Sequence, residues 1–411
     1  MNGSKNMLRN KLVWIGLALV VGVIFIMGLA QLGSSSNPVP KNMPVALVSL
    51  DKEVQLPNGQ TLAIGKMIEQ QLMTAAASTA QSTEPPLKWE QVDNKAVAMQ
   101  GLDDKKYYSV LILPESLSAD IATLFSPQPK TATVEVYLNQ GMNMTGSTLV
   151  SQVITKIGEG MNEQLRKQVL EGVKAQGDVL NSAQAAALAS PITLQTEMVH
   201  PVPAHSANGN APVAFTILAW FGAMIASILT FQAAAKARSA SKLSNAGVAV
   251  SQAVIGLLYV LVALGATLLL AKSTLGMTIA DSWQFSIYFT FISYCFFLMQ
   301  SCLLNWLGLG GMPIMILIFF FGSPILALPS QMLPAFTQDW LYSWIPLRFG
   351  TEILREVLYF GGSSFSSASA VTLIIIGAIA LCLSLLAAAV KPYKDKNAVK
   401  KTATAESTAA V

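Results

Sequence analysis

VWIGLALVVGVIFIMGLAQL, residues 13–32, contains no charged side chain. A hydrocarbon core about 30 Å thick is crossed by about 20 apolar residues of helix. The run therefore reads as a membrane span, Leu12–Leu32, with a short segment 1–11 before it. Gly28 and Ala30 are small enough to mark a signal-peptide cleavage site, which is the competing reading. The apolar run nevertheless exceeds the 7–15 residues of a usual signal-peptide core, which favours a retained anchor.

Working outward, a second hydrophobic block covers residues 212–390, and a polar stretch, 33–211, separates the two. Within the block five further spans are expected: Pro212–Ala235, Gly247–Ala271, Phe285–Trp306, Pro313–Leu328 and Ala370–Val390. The predicted fold class is an α-helical integral membrane protein with six transmembrane helices, one plus five. A large α/β extracytoplasmic domain stands between the first and second, and a basic cytoplasmic tail, 391–411, closes the chain. Composition agrees: 53% of residues are hydrophobic and 12% charged, about half the charged fraction of a soluble domain.

Lysine and arginine bias orients the spans. Lys5, Arg9 and Lys11 precede the first. Lys236, Arg238 and Lys242 lie between the second and third. Lys391, Lys394, Lys396, Lys400 and Lys401 follow the last. Six spans put all three clusters on one side, so both termini are expected in the cytoplasm of a multi-pass plasma-membrane protein. The net charge of +4 forms no basic patch interleaved with aromatics, so nucleic acid is not an expected partner. Cys295, Cys302 and Cys382 all fall within predicted spans, leaving the polar stretch without a disulfide framework.

The polar stretch opens with GSSSNPVPKNMP, a tether by composition. Strands are expected at Val45–Leu50, Leu87–Val92, Tyr107–Leu113, Thr131–Leu138 and Ile192–Val202, and helices at Thr61–Ala77, Asn94–Leu102 and Glu115–Phe125. Alternation of the two implies an α/β layer with partly parallel pairing. From Thr145 a long helix carries Leu149, Val153, Ile157, Met161, Leu165, Val169 and Val173 at every fourth position. Four residues turn a helix by about 400°, so this stripe drifts by about 40° per step. It either packs on its own domain, face after face, or protrudes to meet a second copy. Gly158 and Gly160 mark points of bending or close approach.

Enzyme constellations are absent from this reading. Gly65–Lys66 is the one Gly-Lys pair, but Gln60 stands where a phosphate-cradling loop needs its first glycine and Met67 where it needs Ser or Thr. His200 and His205, in HPVPAH, read as a solvated linker rather than metal ligands. Neither cofactor nor catalytic residue is expected. The cores of the six spans carry amides and hydroxyls such as Gln252, Gln300 and Asn305 but no ionised group. Ion-driven carriers place charges there as coupling sites, so any transport would draw its energy from a partner. Arg348, Glu352, Arg355 and Glu356 form a charged helix just before the last span. They read as an interfacial support or as a gate over an external vestibule. Trp340, Trp344 and Tyr359 beside them suit a membrane interface.

MPVALVSLDKEV after the first span, the strand–proline–helix–strand passage Lys105–Asn143, NGNAPVAFTILAWFGAMIAS entering the second span and IPLRFGTEILREVLYFGG before the last together resemble the YhgE/Pip family. That family is named for a phage infection protein and sits among type-2 ABC exporter permeases. The resemblance implies a bacterial membrane permease subunit, homo- or heterodimeric, driven by a separate ABC ATPase and moving an amphipathic or envelope-related substrate. Lys236, Arg238 and Lys242, within Lys236–Asn245, would then form a short coupling helix for the ATPase. The rival reading is a non-transporting surface protein, a phage receptor or envelope scaffold. Longer family members carry a coiled-coil insert where this chain has one long helix.

Overall fold

The computed structural model describes residues 40–56, 61–79, 84–175, 180–238 and 241–390, with Val21 and Gly59 as isolated positions. The predicted first span, the segment before it and the basic tail lie outside the described residues apart from Val21. The chain divides into two compact units. One comprises residues up to 212 together with 320–344 and 358–362; the other comprises 213–319, 345–357 and the residues from 363 onward.

The first unit is built on a five-stranded mixed sheet. Its strands are β1 (Met43–Ser49), β2 (Leu87–Gln91), β3 (Ser109–Leu113), β4 (Ala132–Asn139) and β5 (Ile192–Val199), in spatial order β2-β1-β3-β4-β5. β1 runs parallel to β2 (Met43 opposite Leu87) and to β3 (Val45 opposite Ser109). β3 and β4 are antiparallel, with Ser109 opposite Leu138. β4 and β5 are parallel, with Ala132 opposite Ile192. β1 and β3 are inner strands covered on both faces, which is why VALVSL and SVLIL are near-continuous apolar runs rather than alternating. β5 is an edge and is mostly exposed beyond Ile192.

Helices α1 (Ile64–Thr79), α3 (Leu117–Ala122), α4 (Met144–Ala175) and α5 (Ser182–Ala189) contribute to the core on one face with Val45, Leu47, Leu111 and Val136. α2 (Lys95–Asp103) covers the other face over Ala46, Val48, Val110 and Ile112. The drifting stripe of α4 packs on its own unit. Val150 and Ile154 are buried in the first turns, then Met161, Leu165 and Val169, while Leu149, Val153 and Ile157 are only partly covered. Gly158 is a close approach: an added Cβ would lie 2.8 Å from Leu194 of β5.

Residues 320–344, assigned by the sequence reading to the membrane block, pack inside this unit. Asn143 Nδ2 donates to the Ala327 carbonyl at 3.2 Å, Tyr108 Oη donates to Gln331 Oε1 at 3.3 Å, and Met332 joins the sheet core. Gly146 accommodates Pro329, whose Cγ would stand 2.8 Å from a Cβ there.

The second unit is helical: α6 (Ala211–Ala237), α7 (Lys242–Leu268), α8 (Ser282–Leu307), α9 (Met312–Gly322), most of α10 (Pro346–Tyr359) and α11 (Ala368–Val390). Four helical stretches among the described residues are long and apolar enough to cross a membrane: Ala211–Ala237, Asn245–Thr274, Ser282–Leu326 and Ala368–Val390. The third is not one straight rod. An added Cβ on Gly311 would lie 3.1 Å from the Leu303 carbonyl, whereas eight residues of helix rise about 12 Å, so the chain folds back at Gly308–Gly311. The predicted fifth span, Pro313–Leu328, is therefore an 11-residue helix followed by 3-10 turns, and α9 alone extends only about 16 Å. Trp220, Phe285, Phe289, Phe296 and Phe297 fill the interior of the unit. The Phe297 ring sits on Gly256, leaving no space for a side chain there.

Asp51 organises the first unit at the carboxyl end of β1. Its Oδ2 accepts from the Gly65 amide at 2.8 Å, and its Oδ1 accepts from the Ser118 amide at 2.7 Å. Ser118 Oγ donates to Asp51 at 2.5 Å and accepts from the Ile64 amide at 2.8 Å. One carboxylate thus satisfies the N-termini of both α1 and α3, where its charge also meets the positive helix ends. Asp51→Ala is expected to destabilise this unit by about 1–3 kcal/mol, a fall of several degrees in the thermal midpoint, with Asp51→Asn in between. Thermal unfolding of the full chain in lipid nanodiscs checks this, and unchanged midpoints would contradict it.

Candidate functional site

The charged helix before the last apolar stretch folds as α10. Pro346 occupies its first turn, where the missing amide hydrogen costs nothing. Leu347, Ile353, Leu354 and Val357 bury one side of it. Gly350 lets the helix sit closely on Ile292, Phe296 and Thr216, and Thr351 Oγ1 donates to Thr216 Oγ1 at 3.1 Å. The polar side is tied to the segment that leads into α11. Arg348 Nε stands 3.9 Å from Glu352 Oε1, and its guanidinium lies 4.7 Å from the Phe349 ring centre. Glu352 accepts a hydrogen bond from Ser369 Oγ. Glu356 accepts from Ser363 Oγ at 2.5 Å, and the Ser363 carbonyl accepts from Tyr288 Oη at 2.6 Å. Arg355 is drawn into none of these contacts. Glu352 is thus engaged by Ser369 of α11 rather than by Arg355. Glu356 holds the turn after its own helix.

Residues 358–362 pack in the α/β unit. The His200 ring lies 4.3 Å from that of Phe360 and its Nε2 is 2.9 Å from Asp103 Oδ1. Lys105 Nζ stands 5.8 Å above Phe360. His200 is therefore a packing residue, not a member of a solvated linker; the signal missed was the aromatic at Phe360, distant in sequence. His200, His205, Ala207, Asn208 and Gly209 all have φ between 48° and 80°, so the 200–209 connection is a series of tight left-handed turns, a conformation that costs a non-glycine residue free energy.

The basic loop Lys236–Arg238–Lys242 does not form the separate short helix expected over Lys236–Asn245. Lys236 lies in the last turn of α6 and Lys242 opens α7. The two long helices run on into the loop and leave too few residues between them for a third. Lys236 is exposed, while Arg238 is half-buried and its Nε has no partner among the described residues. That burial lowers the pKa of the guanidinium.

The α/β unit also holds an apolar cavity of about 360 Å³ between α1, β2 and α4. Ile68, Leu72, Trp89, Val153, Ile157 and Met161 are among its lining residues. Gly160, expected as a bend or close approach, opens onto this space with nothing within 4 Å of an added Cβ. Its walls suit hydrocarbon rather than a charged ligand. Among the described residues no three His, Cys, Asp or Glu side chains gather in a metal-binding group.

Over 126 residues the chain is 24% identical to the "Uncharacterized protein YhgE" of Bacillus subtilis (strain 168). The matched stretch covers 31% of this chain and 15% of that protein. No solved structure matches. Residues 16–379 match the profile of a family described as "Protein of unknown function (DUF3533)", and with that match running through most of its length the chain belongs to this family.

Proposed function

We propose that this protein is the membrane subunit of an ABC-type exporter, moving an amphipathic or envelope-related substrate with energy from a separate ATPase. The observation that carries the reading is the character of the helical unit's interior. Its buried polar side chains are amides and hydroxyls, Gln252, Gln300, Asn305, Thr216 and Ser301 among them. A carrier coupled to an ion gradient needs an ionisable group there. The acidic and basic side chains of α10 lie instead at one end of α11, where they can respond to a substrate without sitting in hydrocarbon.

The topology proposed with this function has six spans, both termini cytoplasmic and residues 33–211 outside. Packing of 327–332 against Tyr108, Asn143 and Gly146 supports it. Residues that pack into one water-soluble unit share one side of the bilayer, so the chain between 212 and 327 crosses an even number of times. α6, α7 and α8 supply three crossings, and α9 with its following 3-10 turns supplies the fourth. It is short for a 30 Å core, a mismatch that local thinning of the bilayer accommodates. α10 leaves from and returns to segments of the α/β unit and adds none. α11 is the fifth, and Leu12–Leu32 makes six.

Two outcomes test the proposal. Purification in mild detergent is expected to bring down an ATPase of the ABC class. Changing Lys236, Arg238 and Lys242 together to glutamine is expected to leave membrane insertion intact and abolish that association. Co-purification unaltered by the triple change would make the loop an orientation signal only, and the absence of any ATPase would contradict the exporter reading.

The roles of the α10 carboxylates separate by measuring stability and function together. Glu352→Gln and Glu356→Gln each weaken a charged hydrogen bond to the α11 segment and are expected to cost about 1–2 kcal/mol. A gate predicts that Glu352→Gln, which also releases Arg348, reduces ATP-driven transport more than Glu356→Gln at equal membrane abundance. Variants that lower the thermal midpoint yet transport like the parent would make α10 a support for α11 and nothing more.

A further inference from the structure

Between the last turns of α6 and the first turns of α7 runs a groove of about 360 Å³. Leu229, Ala233, Gly247, Val248, Ile255 and Tyr259 are among its walls. Leu229, Ile255 and Tyr259 are more than 40% exposed, and an added Cβ on Gly247 would meet nothing within 4 Å. The groove is thus open along one side at a depth where apolar helices face hydrocarbon.

Two polar groups set it apart from an ordinary furrow between helices. Gln252 lines it and is only 5% exposed. Its Oε1 accepts from Asn305 Nδ2 at 3.2 Å, but its Nε2 has no acceptor among the described residues. A buried amide donor left unmatched is unfavourable. The second group is Arg238, one residue beyond the Ala237 that closes the groove, half-buried and with Nε unmatched.

Among the described residues no carboxylate pairs with Arg238. No Asp or Glu occurs between Glu197 and Asp281. The helical unit has three acidic side chains among its described residues, and each is engaged elsewhere. Asp281 accepts from the amides of Trp283 and Gln284, Glu352 from Ser369, and Glu356 from Ser363. A partly buried guanidinium therefore follows directly on the helix end that closes a hydrocarbon groove, and a buried amide lines that groove.

We propose that this groove binds an anionic phospholipid: one acyl chain lies between α6 and α7, and the phosphate pairs with Arg238. Basic pockets between transmembrane helices recognise anionic headgroups by this division of labour. Arg238 belongs also to the loop proposed to meet an ATPase, but the lipid site is read out on the chain alone, with no ATPase present, so its failure and that of the exporter reading are distinguishable.

The test uses the full chain in nanodiscs of phosphatidylcholine and phosphatidylglycerol with matched acyl chains, followed by extraction into mild detergent and native mass spectrometry. The parent is expected to retain one phosphatidylglycerol per chain in preference to phosphatidylcholine. Arg238→Gln should reduce that preference about five-fold, the factor for one interfacial cation worth about 1 kcal/mol, while Arg238→Lys largely keeps it. Gly247→Leu, which fills the open groove, should abolish retention of either lipid at an unchanged helical content. Lys272→Gln, a change at the far end of the same apolar stretch, should have no effect. Equal retention of the two lipids by the parent, or a preference that survives Arg238→Gln, overturns the proposal. So does a lipid-free particle, whether a second copy or the chain's own residues 12–32 cover the groove.

Discussion

The structure depends on one return of the chain. After three long apolar helices, residues 320–344 come back to the sheet unit, where Ala327 accepts from Asn143 and Met332 enters the core. Backbone inside hydrocarbon must satisfy its own hydrogen bonds. An irregular segment such as 323–344, made of 3-10 and π turns, is sustainable only where protein or water meets its backbone. Packing it on the N-terminal end of α4 provides that environment. The same contacts anchor one end of the short α9.

Polarity is distributed by the same cost. The acidic side chains of the apolar unit's described residues are all bound: Asp281 caps α8, Glu352 meets Arg348 and Ser369, Glu356 meets Ser363. In the α/β unit Asp51 performs the corresponding task for two helix N-termini at once. The Gly65 amide, which a phosphate-cradling loop would turn to its ligand, is held here by the chain's own carboxylate. Arg355 and Arg238 enter no such contact, and Arg238 follows directly on the end of α6 that closes the groove between α6 and α7.

Much of this was legible in the sequence. The alternation of strands and helices between residues 43 and 199 follows from apolar periodicity and from stops such as Pro114, and the described strands lie within a few residues of their expected places. α5 escaped the reading although Asn181 and Gln184 spell its capping box, because its alanine-rich body has no apolar period. The long-range pairings were not legible. Nothing local in His200 announces Phe360, and nothing in LALPSQM distinguishes a segment that packs on a sheet from the end of a span. The charges of α10 were found by spacing, but their partners, Ser363 and Ser369, lie beyond the helix where i,i+4 reasoning does not reach.

The return of the chain is tested most directly by a cysteine pair at Asn143 and Ala327, in a background lacking Cys295, Cys302 and Cys382. In sealed membrane vesicles or intact cells, mild oxidation is expected to join the two into an intramolecular disulfide, and an impermeant thiol reagent applied outside beforehand should block it. If no disulfide forms, and Ala327→Cys is labelled only from the face opposite Asn143→Cys, the return of the chain and the six-span arrangement built on it are both wrong.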